Sequence, residues 1–351
     1  MSARLVATFG ARAMRLLDPE TAHRATVRMM KSPLAPRFCT SRDPILNIRV
    51  AGIDFPNPIG LAAGFDKNAE VPDAMLGLGF GFVEVGAVTP RSQPGNDRPR
   101  VFRLSADEAV INRYGFNNDG LDVIAARLRR RRKNGVVGIN LGANKDSEDR
   151  VEDYVVSIKA LDGLVDFYTV NISSPNTPGL RALQGKEALA GLMSRVLAAR
   201  DTLRRPAPVF LKIAPDLADA DKADIAAVVT EMRLDALIVS NTTIDRPTSL
   251  RSECASEKGG LSGRPLFAPS TSLLREFRQT IGDAAPLIGV GGVSSPRDAY
   301  EKIRAGASLV QLYTALVFQG PALVDEIIRT LPAMVRADGF SCVADAVGAD
   351  A

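Results

Sequence analysis

The stretch that decides the fold lies in the middle of the chain and reads 166-DFYTVNISSPNTPGLR-181. Its first five residues are mostly apolar, aromatic or β-branched, a composition typical of a buried strand. Pro175 has no N–H to donate to a neighbouring strand, so we expect the strand to end by Ser174. The loop that follows carries amides and hydroxyls, which both donate and accept hydrogen bonds. A strand followed by such a loop places polar side chains at its carboxyl end, where they can bind a ligand. A short motif of this kind also fits a turn whose side chains only form hydrogen bonds with the turn's own backbone.

The same pattern of strand, polar loop and helix repeats through most of the chain. The expected strands are Pro58–Ala62, Gly81–Gly86, Val136–Asn140, Phe167–Ile172, Val209–Ile213, Ala236–Ser240, Leu287–Val290 and Leu309–Tyr313. Helical patterns separate most of them, namely Asp119–Arg132, Val151–Leu161, Lys186–Leu203, Asp219–Glu231, Ser270–Ile281 and Ser295–Ala305. This alternation predicts an α/β fold, a (β/α)8 TIM barrel. A doubly wound sheet is the alternative, but the G-x-G-x-x-G motif that normally follows its first strand is missing.

The composition limits the kinds of site that the chain can carry. It has 351 residues and is 46% hydrophobic, enough for one large barrel or two ordinary domains. His23 is the only histidine, so most metal sites are not expected, nor is a Ser-His-Asp triad at Ser174 unless His23 folds over it. The three cysteines are far apart in the sequence, which favours reduced thiols over a disulfide framework.

The N-terminal segment differs from the rest of the chain in charge. Residues 1–42 carry eight basic and two acidic side chains, a net charge of +6, and the remaining residues carry −2 of the overall +4. The segment predicts two short helices, about Ala3–Leu17 and a second one to about Lys31, with Asp18 as its N-cap and Pro19 at its first position. Neither is long enough to span a bilayer. Two alternatives stay open: a hairpin packed on the core, or an amphipathic pair lying on an anionic membrane surface.

Polar and charged residues collect where the predicted strands end, which is where a barrel places its chemistry. Lys67 and Lys212 stand at such ends, and a buried lysine is costly unless a negative or electron-rich group meets it. Gly291 and Gly292 precede the last strand and leave backbone N–H groups bare, as in the usual phosphate site of a barrel. These residues predict a cofactor that has a phosphate and an electron-rich ring.

On these residues the chain resembles the class 2 dihydroorotate dehydrogenases, which are quinone-linked FMN enzymes of pyrimidine synthesis. The matching segments are Leu17–Arg24, Ala62–Asn68, Glu84–Pro90, Arg98–Leu104, Asn112–Asn117, Gly138–Lys145, Asn171–Arg181, Lys212–Leu217, Ser240–Thr243, Gly259–Pro265, Gly289–Val293 and Gly306–Thr314. They extend over nearly the whole chain and include the helical extension that the related class 1 enzymes lack. Class 1 enzymes also carry a cysteine as the catalytic base, where this sequence has Ser174.

The resemblance implies a role for each matching position. FMN is expected on Ala63, Gly64, Lys67, Ala87, Asn140, Asn171, Lys212 and Ser240, and its phosphate on Gly263, Gly292, Tyr313 and Thr314. Dihydroorotate is expected on Lys67, Asn112, Arg113, Tyr114, Gly115, Phe116, Asn171, Asn176, Asn241 and Thr242. Ser174 is the expected general base, and His23 and Arg103 are expected to bind the quinone. Ala87 stands where the family usually has Ser or Thr, so only a backbone contact to FMN can survive there.

The resemblance also implies the reaction, the oxidation of (S)-dihydroorotate to orotate in de novo pyrimidine (UMP) biosynthesis. Ser174 is expected to take the C5 proton, with a relay through Thr177 or water, while hydride passes from C6 to FMN and a membrane quinone serves as electron acceptor. Residues 1–40 are expected to dock peripherally on the cytoplasmic side of the inner membrane, and residues 41–351 to form the catalytic barrel. No metal, nucleic acid or obligate protein partner is expected.

Two other classes of protein fit part of this pattern. An FMN barrel dehydrogenase acting on a dihydropyrimidine or dihydrouridine would share the barrel, but the loops at residues 112–116 and 171–177 argue against it. A non-catalytic membrane-binding protein on a barrel scaffold would share the basic N-terminal segment. Bleaching of a flavin colour by dihydroorotate distinguishes the expected enzyme from such a protein.

Overall fold

The computed structural model describes residues 10–11, 13–33, 35–38, 43–176 and 184–351. Thr177, Cys39 and most of the first predicted helix therefore lie outside the described residues. Residues 10, 11, 13 and 14 are helical, and the chain turns at residues 15–17 before it enters the next helix.

Strands and helices alternate along the chain, as the sequence pattern predicts. The strands are β1 (Ile48–Val50), β2 (Ile53–Phe55), β3 (Ile59–Leu61), β4 (Phe82–Val88), β5 (Val101–Leu104), β6 (Ala109–Asn112), β7 (Val136–Leu141), β8 (Phe167–Asn171), β9 (Val209–Lys212), β10 (Ala236–Val239), β11 (Gly260–Gly263), β12 (Leu287–Val290) and β13 (Ala307–Leu312). The helices are α1 (Pro19–Met30), α2 (Pro72–Leu76), α3 (Leu121–Arg129), α4 (Arg150–Ala160), α5 (Lys186–Asp201), α6 (Asp219–Glu231), α7 (Phe267–Ile281), α8 (Pro296–Arg304), α9 (Ala315–Gln319) and α10 (Ala322–Ala337). The helices predicted between strands are confirmed as α3 to α8, whereas α2, α9 and α10 are additional.

The described part of the chain forms a closed barrel of eight parallel strands, in the order β3-β4-β7-β8-β9-β10-β12-β13. The barrel closes where β13 pairs with β3, from Val310 opposite Ile59 to Leu312 opposite Leu61. The strand at the start of the 166–181 stretch is β8, and it ends at Asn171, before Ser174. The predicted (β/α)8 fold is therefore confirmed.

Aromatic rings fill the barrel near the amino-terminal ends of its strands. Phe82 and Phe167 begin β4 and β8, and their ring centroids lie 6.1 Å apart. Phe210 of β9 stacks on Phe167 at 4.6 Å, and Phe55 of the β1–β2 hairpin meets Phe82 edge-on at 5.3 Å. Because this end is packed with apolar side chains, the polar residues gather at the carboxyl ends, as the barrel fold requires.

A small antiparallel sheet, in the order β5-β6-β11 among the described residues, lies outside the barrel. Strands β5 and β6 belong to the connection that follows β4, and β11 belongs to the connection that follows β10. The buried side chains of Leu104, Ala109, Ile111 and Leu261 form a separate small core for this sheet. The sequence pattern does not predict the sheet, because each strand has only four residues and the partners are distant in sequence.

The second predicted helix is confirmed as α1, which packs against β5 of the small sheet. Asp18 accepts a hydrogen bond from the Thr21 amide at 3.0 Å, and Pro19 occupies the first helical position, as expected. The helix buries Ala22, Val27 and Met30. None of the helices in the described ranges is both long enough and apolar enough to cross a bilayer.

An ion pair fastens α1 to the connection that leads into β5. Glu20 is buried and accepts hydrogen bonds from Arg100 at 2.9 and 3.2 Å, and Arg98 pairs with it at 3.0 Å. Burial opposes the charged form of Glu20, but the two arginines outweigh it and hold the pKa of Glu20 below its usual value. Arg100 is also buried, so each charge depends on the other.

Glu20→Ala is expected to loosen α1 and to lower the thermal unfolding midpoint. The change leaves the buried Arg100 without its carboxylate, and removing one partner of a buried pair typically costs about 3–5 kcal/mol. Scanning fluorimetry of the purified variants measures the effect. Asp54→Ala is the matched control, because Asp54 pairs with Arg49 at the exposed surface, where such a pair is worth about 1 kcal/mol or less. Equal midpoints for the two variants would contradict the anchoring role.

Candidate active site

The carboxyl ends of the barrel strands open into a cavity of about 670 Å³, the chamber, which is also lined by residues of α1. All of the predicted site residues line the chamber except Arg113. They are His23, Ala63, Gly64, Lys67, Ala87, Arg103, Asn112, Tyr114, Gly115, Phe116, Asn140, Asn171, Ser174, Asn176, Lys212, Ser240, Asn241, Thr242, Gly263, Gly292, Tyr313 and Thr314. Positions far apart in the sequence are therefore brought to one enclosed space.

Arg113 requires a correction, because its side chain is turned away from the chamber. Its guanidinium pairs with Glu257 at 2.8 Å and lies 4.5 Å from the ring centroid of Phe102. Its neighbours Asn112 and Tyr114 line the chamber. In extended chain, successive side chains point to opposite sides, so the residue between two inward-facing ones faces outward. Arg113 supports the loop rather than lining the site.

A buried carboxylate, Glu84 of β4, lies behind the residues that line the chamber. It accepts hydrogen bonds from Asn140 Nδ2 at 2.6 Å and from Gln311 Nε2 at 2.5 Å, one on each oxygen. Asn140 Oδ1 accepts from Asn171 Nδ2 at 2.8 Å, and Asn171 Oδ1 accepts from Asn241 Nδ2 at 3.3 Å. The carboxylate thus orients a chain of side-chain amides that runs across the strand ends.

Glu84 and Gln311 are not among the predicted site residues, although a signal for both exists in the sequence. Each interrupts an apolar strand, in 82-FVEVGAV-88 and in 307-ASLVQL-312. Both side chains are fully buried. A charged or amide group inside a buried strand needs hydrogen-bond partners, so these two positions indicate a polar network within the barrel.

Two lysines reach the chamber, Lys67 from the loop after β3 and Lys212 from the end of β9. Lys67 Nζ donates to the carbonyl oxygen of Gly64 at 2.6 Å and lies 4.1 Å from the ring centroid of Tyr114. Burial lowers the pKa of Lys67 to about 8. Burial also lowers the pKa of Lys212, and the charge of Glu84 opposes that shift. An anionic or electron-rich ligand would stabilise both ammonium groups.

Ser174 lies on the loop after β8 and is buried. Its Oγ accepts a hydrogen bond from the backbone amide of Asn176 at 3.3 Å, and Asn176 Nδ2 donates to the Asn112 carbonyl at 3.2 Å. The loop is thereby tied to the strand that carries Asn112. His23 is engaged elsewhere, with its Nδ1 3.3 Å from Tyr313 Oη. The hydroxyl of Ser174 is therefore placed at the chamber by backbone contacts.

The backbone of Gly291 and Gly292, after β12, forms one wall of the chamber, here called the glycine cradle. Both residues have positive φ, +112° and +74°. A Cβ on Gly292 would lie 2.4 Å from the backbone nitrogen of Phe267, so a side chain does not fit there. Nearby, Thr314 Oγ1 donates to Ser262 Oγ at 2.9 Å. Bare N–H groups and hydroxyls of this kind suit an anion such as a phosphate.

The wall of the chamber on the side of α1 carries His23 and Arg103. Burial, with the nearby charge of Lys67, holds the pKa of His23 well below its usual value, so the ring is neutral at pH 7. Arg103 Nη1 donates to the carbonyl of Arg15 at 2.7 Å. Its Nε is buried and has no hydrogen-bond partner among the described residues. A carbonyl oxygen bound in the chamber would satisfy that N–H.

A closed barrel whose strand ends surround an enclosed chamber defines a (β/α)8-barrel enzyme, with its active site at the carboxyl ends of the strands. The family model of dihydroorotate dehydrogenase matches residues 45–335 of the chain. A dihydroorotate dehydrogenase (quinone) from Parvibaculum lavamentivorans is 57% identical over 339 residues, which are 96% of this chain and 96% of the relative. The protein of the same name from Brucella ovis is 54% identical over 349 residues, 97% of this chain and 95% of the relative.

Solved structures agree with this assignment. The structure of DHODH from Eimeria tenella in complex with ferulenol has a TM-score of 0.91 and 40% identity, and covers 95% of this chain and 96% of its own. The ligand-free form has the same TM-score, with 41% identity, and covers 95% and 99%. The chain therefore belongs to the dihydroorotate dehydrogenase family. It is an oxidoreductase of the quinone-dependent kind, whose members oxidise dihydroorotate in pyrimidine biosynthesis.

Glu84→Gln is expected to lower kcat/KM for dihydroorotate. A glutamine offers one carbonyl oxygen and one NH2 group where two acceptors are needed. Either Asn140 or Gln311 would then face an N–H, and its side-chain amide would have to rotate by half a turn. An unsatisfied buried group costs about 1–3 kcal/mol, which corresponds to roughly tenfold or more in rate. Steady-state kinetics measures the loss, and Glu326→Gln on the exposed face of α10 is the control. A Glu84→Gln enzyme as active as the control would show that the amide chain does not orient the site.

Proposed function

We propose that the chain oxidises dihydroorotate to orotate in the chamber, with one FMN per chain as prosthetic group and a membrane quinone as electron acceptor. The observation that carries this proposal is the meeting of two buried lysines, an oriented amide chain and the glycine cradle around one space. The reaction serves de novo pyrimidine biosynthesis, in accordance with the family to which the chain belongs.

The residues present fit FMN in both polarity and space. The edge of a flavin ring carries carbonyl oxygens and an N–H, and the chamber offers Lys212 as a donor. Gln311 Oε1, buried without a partner among the described residues, is an available acceptor. The glycine cradle, with Gly263, Tyr313 and Thr314, supplies donors for the phosphate, while Ala63, Gly64, Asn140, Asn171 and Ser240 complete the lining. Ala87 lies within β4 and offers its backbone only. When bound, FMN supplies the redox chemistry, accepting hydride from the substrate and passing electrons to the quinone.

The substrate is proposed to lie against the loop of Ser174. Lys67 carries the charge opposite to that of the dihydroorotate carboxylate, and a charge-assisted hydrogen bond of this kind is stronger than a neutral one. The side-chain amides of Asn112, Asn176 and Asn241 both donate and accept, so they match the N–H and C=O groups of a dihydropyrimidine ring. Gly115, Phe116 and Thr242 line the same part of the chamber.

Ser174 is proposed to take the C5 proton of the substrate. A serine hydroxyl is a weak base, so Oγ must pass its own proton onward as it accepts the new one. The backbone N–H of Asn176, which donates to Ser174 Oγ at 3.3 Å, would stabilise the negative charge that builds up on this oxygen. Thr177 or a water molecule is the proposed acceptor of the relayed proton.

The quinone is proposed to enter the same chamber from the side of α1. Arg103 and His23 lie on that side, and both can donate a hydrogen bond to a quinone carbonyl. His23 also touches Tyr313, which belongs to the proposed phosphate site. Short contacts thus connect the proposed quinone site with the proposed cofactor site.

We further propose that the enzyme associates peripherally with the cytoplasmic side of the inner membrane. Leu16 and Leu17 expose 89% and 43% of their surface just ahead of α1. Residues 1–42 carry a net charge of +6, which favours an anionic lipid surface. Apolar side chains beside basic ones are typical of a segment that lies on a bilayer.

The purified protein is expected to be yellow, and its flavin colour should bleach when dihydroorotate is added without oxygen. The Ser174→Ala variant should still bind FMN and substrate, but its flavin should bleach slowly. A general base typically contributes about 10²–10⁴-fold to the rate. Rapid-mixing absorbance of the flavin measures the rate constant. Ser174→Cys is the control, because a thiol gives up its proton more easily than a hydroxyl and should restore part of the rate. Bleaching of Ser174→Ala at a rate close to that of the unmodified enzyme would remove Ser174 from the base role.

The double variant Leu16→Glu, Leu17→Glu is expected to lose its binding to vesicles of anionic lipid. It is also expected to lose turnover with a long-chain quinone. Flavin reduction and turnover with a short-chain, water-soluble quinone should persist, because the chamber itself is unchanged. Vesicle sedimentation and quinone-dependent assays measure these effects. Val156→Glu, a charge placed at an exposed apolar residue of α4, is the control for a simple change in surface charge.

His23→Ala is expected to show the complementary result. It should raise KM for both quinones about tenfold, as expected for a lost hydrogen bond, while vesicle binding and flavin reduction stay unchanged.

If the Leu16→Glu, Leu17→Glu variant still turned over long-chain quinone at full rate, residues 16 and 17 would have no part in delivering the quinone.

A further inference from the structure

Lys302 of α8 is fully buried and takes no part in the site described above. Its Nζ donates to Ser270 Oγ at 2.7 Å and lies 5.3 Å from the ring centroid of Phe267. Burial lowers the pKa of Lys302 to about 7, and the charges of Glu301 and Asp298 offset this effect only in part. A buried ammonium is unfavourable unless a nearby group stabilises it, so its position calls for a physical reason.

Ser270 connects Lys302 to the glycine cradle. Ser270 Oγ accepts the hydrogen bond from Lys302, so its single proton is shared between two backbone carbonyl oxygens. These belong to Phe267, at 3.1 Å, and to Gly291, at 3.2 Å. Ser270 is itself fully buried, so water does not compete for these contacts. The side chain of Lys302 therefore acts on the backbone of the cradle through one hydroxyl.

The contact between Ser270 Oγ and the Gly291 carbonyl also determines the orientation of the Gly292 N–H, because one peptide bond contains both groups. In a planar trans peptide, the C=O of one residue and the N–H of the next point in opposite directions. Because the Gly291 C=O is directed toward Ser270 Oγ, planarity directs the Gly292 N–H away from Ser270. Gly292 lines the chamber, so this peptide bond belongs to the chamber wall.

We propose that Lys302 is a positioning residue for the phosphate of the cofactor. Through Ser270 it fixes the Gly292 N–H toward the phosphate, and its ammonium adds a positive charge behind the glycine cradle. Charges act strongly across a poorly polarisable interior, so the dianion and the ammonium stabilise each other without contact. This inference rests on the proposed function, because it requires a phosphate-bearing cofactor in the chamber.

The experiment compares FMN release from the holoenzyme and from Lys302→Met, which keeps the length of the side chain and removes its charge. After dilution, the fluorescence of released flavin gives the release rate, and absorbance gives the initial occupancy. We expect release to be about tenfold faster in the variant, since a hydrogen bond to a charged group is lost from the cradle. Lys159→Met at an exposed position of α4 is the matched control and should release FMN at the normal rate.

Two further measurements separate this role from ordinary packing. Riboflavin lacks the phosphate, so its affinity for flavin-depleted protein should be the same with Lys302 and with Met at that position. Ser270→Ala keeps the ammonium but removes the connecting hydroxyl, and should also speed FMN release. If Lys302→Met is insoluble, Lys302→Gln is measured in the same way.

Unchanged FMN release, or an equal loss of affinity for FMN and riboflavin, would overturn the role of Lys302. A wild-type protein that neither carries nor binds flavin would instead contradict the proposed function. The two failures are therefore distinguishable in one set of preparations.

Discussion

The pairing of β13 with β3 is the contact on which the rest of the structure depends, because it closes the barrel. Once the ring is closed, the carboxyl ends of all its strands face one space. Tyr313, just beyond β13, then lies where it meets both His23 of α1 and Phe65 beyond β3. Closure therefore brings an N-terminal helix and the last barrel strand to the same chamber.

The polar groups at the strand ends are buried at a cost that their own hydrogen bonds offset. Glu84, Asn140 and Asn171 are buried polar groups, and each would be unfavourable in an apolar core without partners. Within the amide chain each one satisfies the next, so the network is stable only as a whole. The aromatic layer at the opposite end of the barrel confines the polar groups to the ends where a ligand can reach them.

Much of the fold follows from local sequence. The strand β8 ends before Pro175 as the chemistry of proline requires, and α6 has the bounds that its pattern predicts, because these signals lie within one element. The site residues also emerge from the sequence wherever a polar residue stands at a strand end, as Lys212 does.

Other features depend on pairs of residues that the local pattern cannot connect. Glu20 and Arg100 are 80 residues apart, and either one alone looks like an ordinary surface charge. The small sheet joins β6 to β11 across a longer separation in sequence, with Asn112 opposite Gly260. The outward direction of Arg113 follows only once the segment after β6 and the partner Glu257 are placed.

The position of Glu84 at one end of the amide chain has a consequence for the order of the active site. A side-chain amide has nearly the same shape after a half-turn, so each added amide doubles the number of arrangements of similar energy. A carboxylate offers only acceptors, and it breaks this degeneracy for Asn140, which in turn fixes Asn171 and then Asn241. The Thr242 amide ends the series by donating to Asn241 Oδ1 at 2.8 Å. A single negative charge thereby fixes the direction of every hydrogen bond in the row. A ligand then meets donors and acceptors at fixed positions, and not a mixture of alternative amide orientations.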